Sequence, residues 1–294
     1  MPSILRKLAH LNIDRARGAA PHKPLLLLCL LEIAEEGGLS HELMPVTGEL
    51  AFRFASYWSV VAHRRQMRPD IKLPLFHMKS DGFWLPLDEQ HTVLRHRELP
   101  ALLRFDPEFL TTVNNPALRT QARAILIRSY FEPNEQAALW ALTGQDAQQA
   151  EIAGLNIQST DQEAVERGRE GRFRIGVVTA YNYTCALTGY RLVTLSSGTI
   201  VDACHIHQFA NSRNNDLNNG ISLSKNAHWL FDHGLWSLSD DYTVLVAERH
   251  FAEAGDSAFL LTRMKNMKVT LPADPRQWPA QKHLQWHRNY KFLK

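Results

Sequence analysis

Three residues in the second half of the chain, His205, Asn219 and His228, combine types and spacing that could hydrolyse a phosphodiester. They lie fourteen and nine residues apart, and Asp232 follows His228 by four. On a helix, that last spacing puts an imidazole and a carboxylate on one face, the makings of a site for one divalent ion. A histidine near its ordinary pKa can take a proton from water at neutral pH. The ion would neutralise charge on the phosphate and on the departing oxygen. An Asn amide can bind backbone on both sides of a loop and so fix the orientation of the base. Any one of the 14 histidines is, alone, more often a surface or core residue. The ordered set in one strand–loop–helix context is what carries the catalytic reading.

The elements that must position this set can be read from pattern. Thr199–Ile206 is β-rich, and 211–219 is a polar loop with Asn at five positions. Ile221–Leu223 predicts a short strand, and Asn226–His233 a short helix stopped by Gly234. Tyr183–Leu187 and Arg191–Leu195 flank Thr188-Gly189 as a strand–turn–strand pattern. Leu235–Leu238 and Thr243–Ala247 flank Asp240-Asp241 as another. Lys282–Phe292 has helical spacing.

Upstream, residues 22–36 predict a buried helix with Pro24 in its first turn and Gly37-Gly38 as its stop. Residues 47–61 predict a helix, and 107–142 predict helices broken at Pro133. In 72–86, Asp81-Gly82 between two apolar-aromatic runs signals a hairpin. The Gln-rich stretch from Thr143 to Ala164 marks a boundary. This gives a first domain at 1–150, a linker at 151–165 and a second domain, with the candidate catalytic set, at 166–294.

Composition bounds the class. The chain has 294 residues, 45% hydrophobic and 21% charged, which suits two globular domains and excludes wholesale disorder or a fibrous rod. Residues 1–160 carry 17 basic and 17 acidic side chains, whereas 161–294 carry 16 and 13, so the whole +3 lies in the second half. A mildly basic catalytic half suits a polyanion partner. The three cysteines, Cys29, Cys185 and Cys204, have no CxxC spacing. A disulfide framework and a four-cysteine zinc site are not expected, and a cytoplasmic location is. The longest apolar run, 24–31, is far shorter than the roughly 20 residues that span a bilayer, so no membrane partner is expected.

The run VDACHIHQFANSRNNDLNNGISLSKNAHWLFDHGLWSL resembles the HNH endonuclease motif of ββα-metal nucleases. FRIGVVTAYNYTCALTG upstream and WHRNYKF at 286–292 are similar to flanking parts of restriction-type HNH domains. The resemblance covers roughly residues 172–250. It implies that His205 is the general base, that Asn219 is the middle residue of the motif, that His228 is a metal ligand and that Asp232 is a further one. It implies Mg²⁺ or Mn²⁺ as cofactor. Cys204 departs from the family, which often has a metal-binding Asp or His before the base. A thiolate suits Mg²⁺ poorly, so Cys204 is expected to be a small buried strand residue. Asp202 would reach the metal only from a bulged strand. Cys185 has no partner cysteines, so no structural zinc is expected there.

GAAPHKPLLLLCLL and LPLFHMKSDGFW resemble the sulfur-binding domain of phosphorothioate-dependent (type IV) restriction endonucleases, which share this two-domain layout. The resemblance implies a pocket made by His22, Lys23, Leu73 and Pro74, with His77 at its lining. Such a pocket would offer an apolar cup to sulfur and donors to the remaining oxygens. Leu73 and Leu75 are less aromatic than the family pattern. Arg64 and Arg65 with Arg68, and Arg172, Arg174 and Arg213, are either solvated charges or contacts to a DNA backbone.

The expected fold class is α+β: an α-rich N-terminal DNA-reading domain followed by a ββα-metal HNH nuclease domain. The expected partner is double-stranded DNA, phosphorothioate-modified, and cutting both strands would need two sites, as in a homodimer. Two alternatives stay open. One is an HNH nuclease directed to another modification or sequence. The other is a DNA-binding module with an inert HNH site.

Overall fold

The computed structural model describes residues 3–16, 18–62, 69–145, 162–196, 198–256 and 258–294. Arg64, Arg65 and Arg68 lie outside the described residues, as does the linker over 151–161. The described residues form two units: Met1–Arg172 with Thr194–Gly198, and Phe173–Val193 with Thr199–Lys294. The mixed helix and strand content is that of an α+β protein.

The first unit contains α1 (Ser3–Ala9), α2 (His22–Glu35), β1 (Leu43–Pro45), α3 (Gly48–Val61) and α4 (Lys72–His77). Then come β2 (Trp84–Leu87), β3 (Leu102–Phe105), α5 (Pro107–Asn114), α6 (Pro116–Tyr130) and α7 (Pro133–Leu142). Helix α2 is its core element. Leu25 to Leu31 are all at most 1% exposed, because α3, α4, α5 and α6 pack around it. Its acidic C-terminal end is held by buried arginines. Arg53 pairs with Glu32 and Glu36, and Arg123 with Glu35. The sheet order is β1-β3-β2, antiparallel throughout. Proline starts α5, α6 and α7, and Asp106 and Asn115 cap the first two by accepting backbone N–H bonds.

The 72–86 hairpin expectation is wrong. Lys72–His77 is helical and runs into a 3-10 turn at Met78–Ser80. Pro74 sits in the first turn of α4, where its missing N–H costs nothing. Asp81-Gly82 does turn the chain, with Gly82 at φ +73°, but it joins a helix to β2. Leu75 and Phe76 are core residues of that helix.

Helix α8 (Gln162–Ala180) carries Arg172 and Arg174. The second unit then has β4 (Val201–His205), α9 (Phe209–Ser212), β5 (Gly220–Ser224) and α10 (Lys225–Asp232). It closes with β6 (Trp236–Leu238), β7 (Val244–Val246), α11 (Leu261–Met264) and α12 (Gln281–Tyr290). The expected pairing of 183–187 with 191–195 shrinks to one bridge, Thr184 with Arg191. Val193–Thr194 pairs instead with Gly198–Thr199, which takes the second run out of the expected ladder. β4 and β5 pair antiparallel, with Cys204 opposite Ile221 and His205 opposite Gly220. Successive side chains alternate in face. Gly220 faces α8 closely: a Cβ there would come 2.2 Å from Val177 Cγ2 and 3.0 Å from the Phe173 ring. α10 packs on the same hairpin. It stops at Gly234, φ +70°, where Leu235 N donates to Leu230 O at 3.0 Å.

Candidate active site

His205 ends β4 with its ring stacked on Phe173, centroids 3.9 Å apart and planes 8° from parallel. Its Nε2 meets Asn215 Oδ1 at 2.9 Å. An amide oxygen only accepts, so Nε2 carries the hydrogen and Nδ1 keeps the lone pair. Burial, partly offset by the Asn215 bond, holds the imidazole below its ordinary pKa. The ring is therefore neutral at pH 7, with one nitrogen ready to accept a proton.

Asn219 is fully buried. Its Oδ1 accepts from His207 N at 2.8 Å, while Nδ2 donates to His207 O and Asn214 O, both at 3.0 Å. One amide thus ties together both ends of the loop that carries Asn215.

On α10, His228 Nε2 lies 3.2 Å from Asp232 Oδ2. That bond raises the His228 pKa. Asp232 is held low despite burial, chiefly by its bond to His228. Cys204 Sγ donates to Asp232 Oδ1 at 3.9 Å, and burial, followed by Asp232 and Asp202, pushes its thiol pKa well up. Ligand atoms of Cys204, His228 and Asp232 lie within 4.8 Å of one another. The imidazole and carboxylate fit a divalent cation. Asp202 is instead paired with Arg174, whose Nε donates to Oδ1 at 2.6 Å.

Residues 185–239 match the model of the HNH endonuclease family. Over that span the chain carries an HNH endonuclease domain. His205, Asn219, His228 and Asp232 all fall inside the matched span. No curated protein matches the chain. Among solved structures, one titled a modification-dependent TagI restriction endonuclease aligns at 19% identity with a TM-score of 0.30. That alignment covers 47% of this chain and 41% of that one, so the chain spans less than half the length of that protein.

Two further residues support the HNH domain that sequence reasoning did not single out. Asn215 is one of five asparagines in a loop where the sequence ranks none above another. His287, on α12, is 2% exposed and stacks on Phe231 at 3.7 Å. Its Nε2 donates to Phe231 O at 3.1 Å, and its Nδ1 accepts from Ser237 Oγ at 2.8 Å. Burial lowers its pKa to about 4, so the ring is neutral at pH 7. It braces the C-terminal end of α10, next to Asp232. The basic candidates differ. Arg172 and Arg213 are exposed, whereas Arg174 is half-buried against Asp202.

In the first unit, a pocket of about 500 Å³ is lined by His22, Lys23, Leu73, Pro74 and His77, with Asn12 and Ser80 also in its wall. Helix α4 brings the latter three to the start of α2. The His22 ring lies 4.7 Å from that of Trp58. Lys23 is buried, and its Nζ donates to Asp81 Oδ2 at 2.5 Å and Asn12 O at 2.7 Å. His77 is held below its ordinary pKa by burial first and then by Lys23, Arg97 and Lys79. Among the described residues, no helix is long and apolar enough to cross a membrane.

Proposed function

We propose that this protein cuts double-stranded DNA carrying phosphorothioate linkages, with residues 1–150 reading the mark, 151–165 as a linker and 166–294 cutting. The observation that carries the specificity is the pocket in the first unit. It gathers all five residues that resemblance assigned to a sulfur site, from two segments some fifty residues apart. Leu73 and Pro74 present apolar surface to a large, polarisable sulfur that accepts hydrogen bonds weakly. His22 and His77 can donate to the remaining oxygens.

In the second unit, His205 Nδ1 takes a proton from water. The water oxygen forms a bond to phosphorus while the bond from phosphorus to the 3′ oxygen breaks, and that oxygen takes a proton from solvent, which leaves 5′-phosphate and 3′-hydroxyl ends. Asn215 holds the required tautomer, Phe173 fixes the ring plane, and Asn219 holds the loop that presents Asn215. His228 and Asp232 would hold a divalent cation, which supplies charge neutralisation at the phosphate and the leaving oxygen. Arg213, and Arg172 of the first unit, both exposed, would meet phosphates, and a homodimer would bring two sites to the two strands.

The neutralised Lys23 favours a second reading, in which the same pocket takes a modified base, because its cation already has a carboxylate partner. Matched plasmids with and without phosphorothioate linkages test the first reading. They are incubated with Mg²⁺, Mn²⁺ or EDTA, with wild type and His205→Ala. Cutting of the modified plasmid alone, abolished by EDTA and by the substitution with binding retained, is the expected result. Equal cutting of both plasmids removes the sulfur assignment and keeps the nuclease. Competition by methylated or hydroxymethylated duplexes better than by phosphorothioate DNA supports the modified-base reading.

A further inference from the structure

The geometry points to Cys204 as a third protein ligand of the cation held by His228 and Asp232, giving a thiolate-bearing site suited to a borderline-soft ion such as Zn²⁺. The inference rests on the HNH reading of this site and is independent of what the first unit recognises.

The donors are placed for it. A tetrahedral ion with bonds of ~2.0–2.3 Å holds its ligand atoms roughly 3.3–3.8 Å apart. The Asp232 oxygens lie 3.2 Å from His228 Nε2 and 3.9 Å from Cys204 Sγ, and no pair in the set exceeds 4.8 Å. Small rotamer changes therefore close the set around one ion. The frame is rigid. Two ligands sit one turn apart on α10, and the third comes from β4 of the hairpin on which α10 packs.

The chemistry of the donors narrows the ion. Mg²⁺ prefers oxygen ligands in octahedral geometry. Here one donor of three is oxygen, one is imidazole nitrogen and one is sulfur. Sulfur and imidazole suit Zn²⁺ and similar transition ions. Three protein donors leave a fourth position open for water or a phosphate oxygen, as in catalytic zinc sites. As the cation binds, the S–H bond gives its proton to solvent and the sulfur lone pair goes to the ion. Cys204 is 1% exposed, and its hydrogen-bond partners are the carboxylate of Asp232 and a carbonyl, His205 O. The other two cysteines lack such a setting. Among the described residues, the Cys204 group is the one metal-capable cluster found, and Cys185 Sγ faces Ser224 Oγ.

The test uses the metal-free full-length protein and Co²⁺ as a spectroscopic stand-in for Zn²⁺. Wild type should develop an intense near-ultraviolet thiolate-to-cobalt band with visible bands of a tetrahedral ion, and Zn²⁺ should displace both. Cys204→Ser, a one-atom change, should lose the near-ultraviolet band. Its Zn²⁺ affinity should fall by at least the roughly 10–100-fold that losing a ligand's outer hydrogen-bond partner costs. Cys185→Ser should keep the band, and circular dichroism of the metal-free variants checks the fold. Absence of the band in wild type, or its survival in Cys204→Ser, overturns the assignment. If Co²⁺ binds wild type without that band and His228→Ala abolishes the binding, the HNH metal site stands and only the thiolate falls. If the band appears in a protein that cuts no DNA, the ligand assignment holds and the nuclease reading fails.

Discussion

His287 should make the second unit lose stability in acid, by an amount its surroundings fix. In the unfolded chain its pKa is about 6.5, and in the fold it is lowered by burial to about 4. A buried imidazole that must stay neutral contributes fully above the unfolded pKa. As pH falls from 6.5 towards 4, the unfolded state binds the proton first and stability drains away. Below 4 the loss levels off. At about 1.4 kcal/mol per unit, the difference amounts to about 3 kcal/mol. The assay is urea unfolding of wild type and His287→Phe in EDTA, at several values between about pH 7.5 and 4. Phe keeps the stack on Phe231 and removes the titration. It leaves Ser237 Oγ and Phe231 O short of a partner, so the variant should start about 1–3 kcal/mol less stable at neutral pH. The other histidines of the second unit with lowered pKa, His205, His207 and His283, titrate in both proteins and cancel in the comparison. The difference between the two proteins should change by about 3 kcal/mol across the range in favour of the variant, which closes the initial gap or reverses it. Parallel curves would mean that His287 is not held neutral by its packing, and the reasoning would be wrong.

Three further outcomes follow from the same geometry. Asn219→Ala strands His207 N–H and two carbonyls in a buried place, and should destabilise the second unit by on the order of 3 kcal/mol, with faster hydrogen exchange at His207. Gly220→Ala forces a Cβ against Val177 and Phe173. It should cost about 1–3 kcal/mol by overpacking and slow cleavage far more than it weakens DNA binding, since Phe173 carries the plane of His205; equal loss of both would refute that coupling. Asp81→Ala leaves Lys23 buried without its carboxylate (side-chain exposures of 9% and 5%). The first unit should lose about 3–5 kcal/mol, read as a lower unfolding midpoint.

The ββα frame was legible because its signals are local. The β-rich 199–206 became β4 at Val201–His205, and 226–233 became α10 at Lys225–Asp232. The spacing of four between His228 and Asp232 translated directly into a contact. Residues 72–77 were misread because Pro74 is compatible with a strand edge and with a helix's first turn alike, and local pattern does not choose between them. Tertiary packing against α2 did choose. β2 pairs with β3, fifteen residues or more downstream, and a hairpin signal carries no information about such a partner. The fate of Asn215 depended on which of five asparagines a folded loop delivers to His205. Cys204 looked like strand filler because a thiolate suits Mg²⁺ poorly. That its sulfur meets Asp232 depends on how α10 packs on the hairpin, which local pattern does not give.

The single amide of Asn219 has a consequence for how such an enzyme can diversify. By tying residues 207, 214 and 219 to one another, it makes the stretch from Gln208 to Arg213 a closed excursion whose ends are pinned independently of its contents. Lengthening a flexible loop costs little, about 0.6 kcal/mol for each doubling. New residues grafted into that excursion could probe DNA of different shape while the hairpin beneath keeps its register. Variation in substrate contact and constancy of the cutting machinery are thereby uncoupled within a dozen residues of chain.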